Sequence, residues 1–110
     1  MTRLTIVYTL NDNIQRRDAA QQLELTQKDL PEGACLQVTQ RSAPGMDTKI
    51  RWVPFGDLVQ FIDFVHARQA QEFDESEAYA AQQRRTKGFF SNVTFLSCTV
   101  IGDEAQIPRC

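Results

Sequence analysis

Apolar and polar residues alternate at the start of the chain. Leu4, Ile6, Tyr8 and Leu10 interleave with Arg3, Thr5, Val7 and Thr9, and a period of two predicts a strand from Arg3 to Leu10. Asn11, Asp12 and Asn13 supply N-cap chemistry. A polar helix is expected from about Ile14 to Lys28, with few apolar positions, Ile14, Ala19, Ala20, Leu23 and Leu30, forming one thin buried stripe. Pro31 ends it and Glu32-Gly33 makes a turn. A second strand from Ala34 to Gln40 carries Leu36, Val38 and Thr39. After the turn signal Ala43-Pro44-Gly45, a third strand from Thr48 to Val53 should return antiparallel.

The stretch from Lys49 to Phe64, KIRWVPFGDLVQFIDF, predicts a strand-to-helix corner. A helix is expected from Gly56 or Asp57 to about Glu72. Leu58, Phe61, Ile62 and Val65 share one face, flanked by Val59 and Phe64. At ~100° per residue the apolar arc is about 220° wide, more than one core contact requires. That excess predicts a second buried surface: a subunit interface, a ligand cavity, or both.

Asp74 with Glu77 resembles a capping box and opens a helix from Glu75 to Lys87. Its basic end, Arg84, Arg85 and Lys87, complements the macrodipole, and Gly88 suits a C-cap. A last strand runs from Val93 to Ile101, with Val93 and Phe95 on one face and Leu96, Cys98 and Val100 on the other. The order β-α-β-β-α-β predicts an α+β, ferredoxin-like fold: a four-stranded antiparallel sheet with helices on one face. At 110 residues the chain reads as one domain over 1–102, with a loose tail over 103–110.

Helices cover only one face of such a sheet. The out-of-phase set Thr5, Val7, Thr9, Lys49, Arg51, Val53, Val93, Phe95 and Thr99 would form the second face. In the opposite phase, Trp52 and Leu96 exchange roles with Val53 and Phe95, because a one-residue slip flips every side chain.

The layout resembles the dimeric α+β barrel superfamily, in particular its antibiotic-biosynthesis-monooxygenase-like branch. The resemblance lies in TIVYTL, PEGACLQVTQ, KIRWVPF, DLVQFIDFVHA, EAYAAQQRR and KGFFSNV. It includes the small residues Gly33-Ala34-Cys35 before strand two and the aromatic Trp52 ending strand three. It implies two sheets packed face to face in a homodimer, with a ligand cavity between each sheet and its helices. Some members are cofactor-independent oxygenases and some degrade haem. Strand one lacks the asparagine that haem-degrading members use, which argues against that activity.

Composition narrows the picture only a little. A hydrophobic content of 42% with 24% charged residues is that of a globular chain. The net charge of −2 gives no broad basic field and disfavours nucleic acid as a partner. No apolar run approaches the ~20 residues of a membrane span, so a cytoplasmic protein with no membrane association is expected. Cys35, Cys98 and Cys110 show no CxxC spacing, so neither a metal nor any cofactor is expected. Cys35 and Cys98 read as buried thiols in strands rather than a disulfide.

Candidate chemistry is sparse. His66, the single histidine, lies at the edge of the apolar arc, where it would serve as a general base or as a half-buried boundary residue. Arg51 and Trp52, adjacent on a strand, point to opposite faces, so either could meet a ligand. Tyr79 and Phe95 complete the candidate ligand-binding set. Asp57 and Asp63 read as solvated helix residues. The expectation is a small homodimer that binds an apolar or aromatic ligand, as a cofactor-independent monooxygenase-like enzyme. The alternative is a non-catalytic regulatory or accessory interaction module.

Overall fold

The computed structural model describes residues 1–40, 57–96 and 99–100. The elements are β1 (Thr2–Leu10), α1 (Arg16–Glu24) with a 3-10 turn (Leu25–Asp29), and β2 (Cys35–Gln40). There follow β3 (Leu58–Phe64), α2 (Ala67–Gln71), a 3-10 turn (Phe73–Glu75), α3 (Glu77–Arg85), β4 (Phe90–Phe95) and β5 (Thr99–Val100). The sheet is antiparallel with order β2-β3-β1-β4, and β5 pairs with the start of β1 beyond β4. With the helices packed on it, this is the α+β, ferredoxin-like fold.

β1 forms as its alternation predicts. Leu4, Ile6 and Tyr8 face the helices and are buried, Ile6 completely. α1 is shorter than expected, and its stripe of Ala19, Ala20 and Leu23 packs on the sheet. Asn11 to Asn13 do not cap it. Gln15 stands at the N-cap without a side-chain bond. Asn11 instead ties the end of β1 to the turn before β4, donating its backbone N–H to Phe89 O (2.8 Å) and its side-chain amide to Gly88 O (2.9 Å).

The largest correction concerns Leu58 to Phe64, which is a strand and not a helix. It pairs with β1 (Leu4↔Ile62, Tyr8↔Leu58) and with β2 (Leu36↔Ile62, Val38↔Gln60). The wide apolar arc has a simple cause. Leu58, Gln60, Ile62 and Phe64 face the helices, while Val59, Phe61 and Asp63 face the other way, and all but Phe61 are buried. A central strand buried on both sides reads as a near-continuous apolar run. Among the described residues of this region the only α-helix is the five residues of α2. The strand expected from Thr48 to Val53 lies outside the described residues.

Asp57 and Asp63 are not solvated helix residues. The Asp57 carboxylate accepts from Leu10 N (2.8 Å) and pairs with Arg16 (3.5 Å), closing the end of the β1–β3 ladder. Asp63 is 2% exposed and receives two bonds from the Arg3 guanidinium, at 2.8 and 3.1 Å. That pairing pushes the Arg3 pKa above its ordinary value, against partial burial. The Arg3 guanidinium also lies 5.1 Å from the Phe61 ring centroid.

The phase of β4 is the alternative one. Phe95 pairs with Ile6 and Val93 with Tyr8, so both share the helix-facing side with those residues. Leu96 packs instead with Val7, Val59 and Phe61 on the second face. Beyond these pairs a register shift between Thr9 and Leu10 sets Phe90 opposite Leu10. Val7 and Val59 are 3% and 2% exposed in a single chain, so the middle of the second face is already covered. Cys35 is disulfide-bonded, which corrects its reading as a free thiol.

Candidate functional site

α3 places the site. Ser76 caps it by accepting from Tyr79 N (3.3 Å) while donating to Phe73 O (2.6 Å), so the cap is Ser76 and not Asp74. Ala78, Tyr79 and Gln82, at helical spacing, are the residues α3 buries. Arg84 and Arg85 stand in the last turn. Arg84 pairs with Glu77 at the surface (2.6 Å). Arg85 reaches back to α1, donating to Gln22 O (3.0 Å) and Thr26 Oγ1 (2.8 Å).

Between α3 and the sheet lies a closed set of buried polar groups. The Tyr8 hydroxyl donates to Gln60 Oε1 (2.5 Å). Gln60 Nε2 donates to Gln82 Oε1 (2.8 Å) and to Leu23 O (3.3 Å). Gln82 Nε2 donates to the Tyr8 oxygen (2.7 Å), completing a ring of three side chains. Thr26 Oγ1 donates to Gln82 Oε1 at 2.7 Å. All four residues are at most 1% exposed. Buried polar groups are tolerated because they are paired, and here each pairing also fixes a rotamer.

Tyr8 and Gln82 face a cavity of about 170 Å³. Its remaining lining is Tyr79, Gln83, Thr86, Phe90 and Val93, with no charged side chain. Aromatic contacts set the walls: Tyr8 against Phe90 (4.6 Å between centroids) and Tyr79 edge-on to Phe95 (5.3 Å). Burial pushes the Tyr8 hydroxyl far above the ordinary tyrosine range, against the Gln82 hydrogen bond. Burial, and then the charge of Asp74, also raises Tyr79. Both phenols therefore stay protonated at neutral pH. The site can hold and orient a neutral molecule, and its tyrosines offer no base.

A second cavity, of about 280 Å³, lies among the 3-10 turns, the end of β3 and the start of α3. Phe64, Phe73, Leu30 and Pro31 form its apolar part, and Asp29, Glu72 and Glu77 bring acid groups to it.

The sequence-derived candidates are dispersed. Tyr79 lines the first cavity. Phe95 buttresses Tyr79 from beside it and is 38% exposed. His66 is exposed at the N-cap of α2, where its backbone N–H donates to Gln69 Oε1 (3.2 Å), and it lines neither cavity. Arg51 and Trp52 lie outside the described residues. Tyr8, Gln60 and Gln82 were missed. The available signal was Gln60, an amide amid the apolar run LVQFIDF, where an unpaired polar group would be costly. Among the described residues no three His, Cys, Asp or Glu side chains gather as metal ligands, and no helix is long and apolar enough to cross a membrane.

No known protein family's sequence profile matches the chain, and no curated protein matches it in sequence. Solved structures do match it. A protein from Arabidopsis thaliana superposes with a TM-score of 0.69 at 6% identity, over 94% of this chain and 97% of its own. A dimeric protein of unknown function and ferredoxin-like fold from Bacteroides fragilis gives 0.62 at 8% identity, over 91% and 95%. A Dabb-family protein with a ferredoxin-like fold from Mesorhizobium loti gives 0.57 at 14% identity, over 93% and 97%. At such identities the likeness is one of fold.

Proposed function

We propose that the chain is a homodimeric binding protein for a small, neutral apolar or aromatic ligand, held in the cavity between α3 and β1/β4. The observation that carries this reading is the lining: aromatic walls, a polar floor of Tyr8 and Gln82, and no charge. The volume of about 170 Å³ is close to that of an engineered apolar cavity of ~150 Å³ that takes benzene. One ring with a small substituent is therefore the expected size. The homodimer is supported by the dimeric description of solved neighbours with this fold.

A monooxygenase-like reaction without cofactor would first need the substrate deprotonated. Tyr8 and Tyr79 are held protonated, and His66 lies away from the cavity. Binding is accordingly placed ahead of turnover. The interaction-module reading draws support from Val93 and Phe95, 37% and 38% exposed on the edge strand β4, although Val93 also lines the cavity.

Thermal denaturation with monocyclic aromatic compounds tests the reading. A ligand at 100 times its Kd should stabilise the fold by about 2.7 kcal/mol. No shift with any neutral monocycle would overturn ligand binding. Light scattering at micromolar concentration should give twice the chain mass, and a monomer would overturn the homodimer.

A further inference from the structure

Every hydrogen in the buried ring can be assigned, because its backbone anchor, Leu23 O, has only one possible polarity. Leu23 O is a backbone carbonyl and can only accept, so the Gln60 atom facing it is Nε2. Gln60 Nε2 also donates to Gln82, so the Gln82 atom facing it is Oε1. The Thr26 contact is compatible with this. Its oxygen accepts from Arg85 and its own hydrogen is left to donate to Gln82 Oε1. Gln82 therefore presents Nε2 to Tyr8, whose hydroxyl hydrogen is committed to Gln60 Oε1. Flipping either amide would set donor against donor or carbonyl against carbonyl.

Gln82 Oε1 is saturated by two donors. Gln82 Nε2 has two hydrogens and uses one, on Tyr8. The hydrogen of Thr86, also in the cavity lining, is held by Gln82 O (2.8 Å). We propose that the second Nε2 hydrogen of Gln82 is a ligand-orienting donor of this cavity, alongside the Tyr79 hydroxyl and Gln83 amide that also line it, and that the ligand is a monocyclic aromatic carbonyl compound whose oxygen accepts it. This rests on the ligand-binding reading and adds a polarity to it. Gln60, Thr26 and Arg85 act as positioning residues, since they fix which end of the Gln82 amide faces the ligand. An anion finds no cationic partner in the lining.

Acetophenone and α-methylstyrene test the proposal, being near-isosteres that differ in a carbonyl oxygen against a methylene. The expected results are a carbonyl stretch of bound acetophenone at lower frequency than in hexane, and a preference for acetophenone that falls about fivefold in Gln82→Met. The infrared measurement uses the unaltered protein, so it stands even if the variant does not fold. A stretch at the hexane value, or an unchanged preference in a folded variant, overturns the donor role while leaving ligand binding intact. If neither compound binds, this inference falls, while the ligand-binding reading stands or falls on the wider series of neutral monocycles.

Discussion

Replacing Gln60 by Leu would test whether the buried ring is a coupled unit. Gln60 is fully buried and bonds to Tyr8, Gln82 and Leu23. Leucine has nearly the same volume, so no large cavity forms. The Gln82 oxygen keeps Thr26 as a donor, but the Tyr8 hydroxyl loses its acceptor inside the protein. One orphaned buried donor costs about 1–3 kcal/mol. Tyr8→Phe orphans Gln60 Oε1 instead, at a similar cost of about 1–3 kcal/mol, and also takes the acceptor from Gln82 Nε2, a cost that persists in the double variant and cancels in the cycle. The double variant removes both members of the Tyr8–Gln60 bond, so neither end of that bond is left orphaned. It should be less destabilised than the sum of the singles by about 1–3 kcal/mol. Urea denaturation of all four proteins, at one fixed concentration because association shifts apparent stability, closes the cycle. Additivity within ~0.5 kcal/mol would refute the coupled ring.

Two further outcomes follow from backbone and ionisation. Gly33 and Gly88 both have positive φ (+86° and +83°), but a Cβ on Gly33 would sit 2.8 Å from Val65 Cγ2, whereas one on Gly88 meets nothing within 4 Å. Gly88→Ala should cost about 1–2 kcal/mol from backbone strain alone, and Gly33→Ala more; equal costs in denaturation would contradict the packing argument. Tyr8 and Tyr79 have folded-state pKa values raised by burial, so the native state holds their protons more tightly than the unfolded chain. Their contribution is complete below the unfolded value near ~10 and is lost as pH rises above it. Absorbance of tyrosinate should therefore rise together with alkaline unfolding, and two reversible titrations near pH ~10 in folded protein would contradict the burial.

The fold was legible where one face of an element is polar. β1 alternates, α3 carries an acidic start and a basic end, and both stand close to where those patterns predict. Leu58 to Phe64 was misread for a physical reason. With Val59 and Asp63 buried on one side and Leu58, Ile62 and Phe64 on the other, the period of two vanishes and a seven-residue strand resembles a buried helix. The surplus apolar surface was real, but it belongs to two sheet faces. The site was legible only at Tyr79. Tyr8 reads as one more core aromatic in the β1 alternation. Gln82 looks like an exposed helix residue in AYAAQQRR, and Gln60 gains its meaning only when the sheet register and α3 bring all three together.

Titration of 15N-labelled protein with acetophenone asks, through the side-chain amide signals, whether the cavity between α3 and β1/β4 takes a ligand whose oxygen meets Gln82. The Gln82 amide pair should move most, with the backbone signals of Tyr79, Phe90 and Val93, residues that line the cavity. Shifts that gather instead at Phe64, Glu72 and Phe73, around the second cavity, or no saturable shift at all, would contradict it.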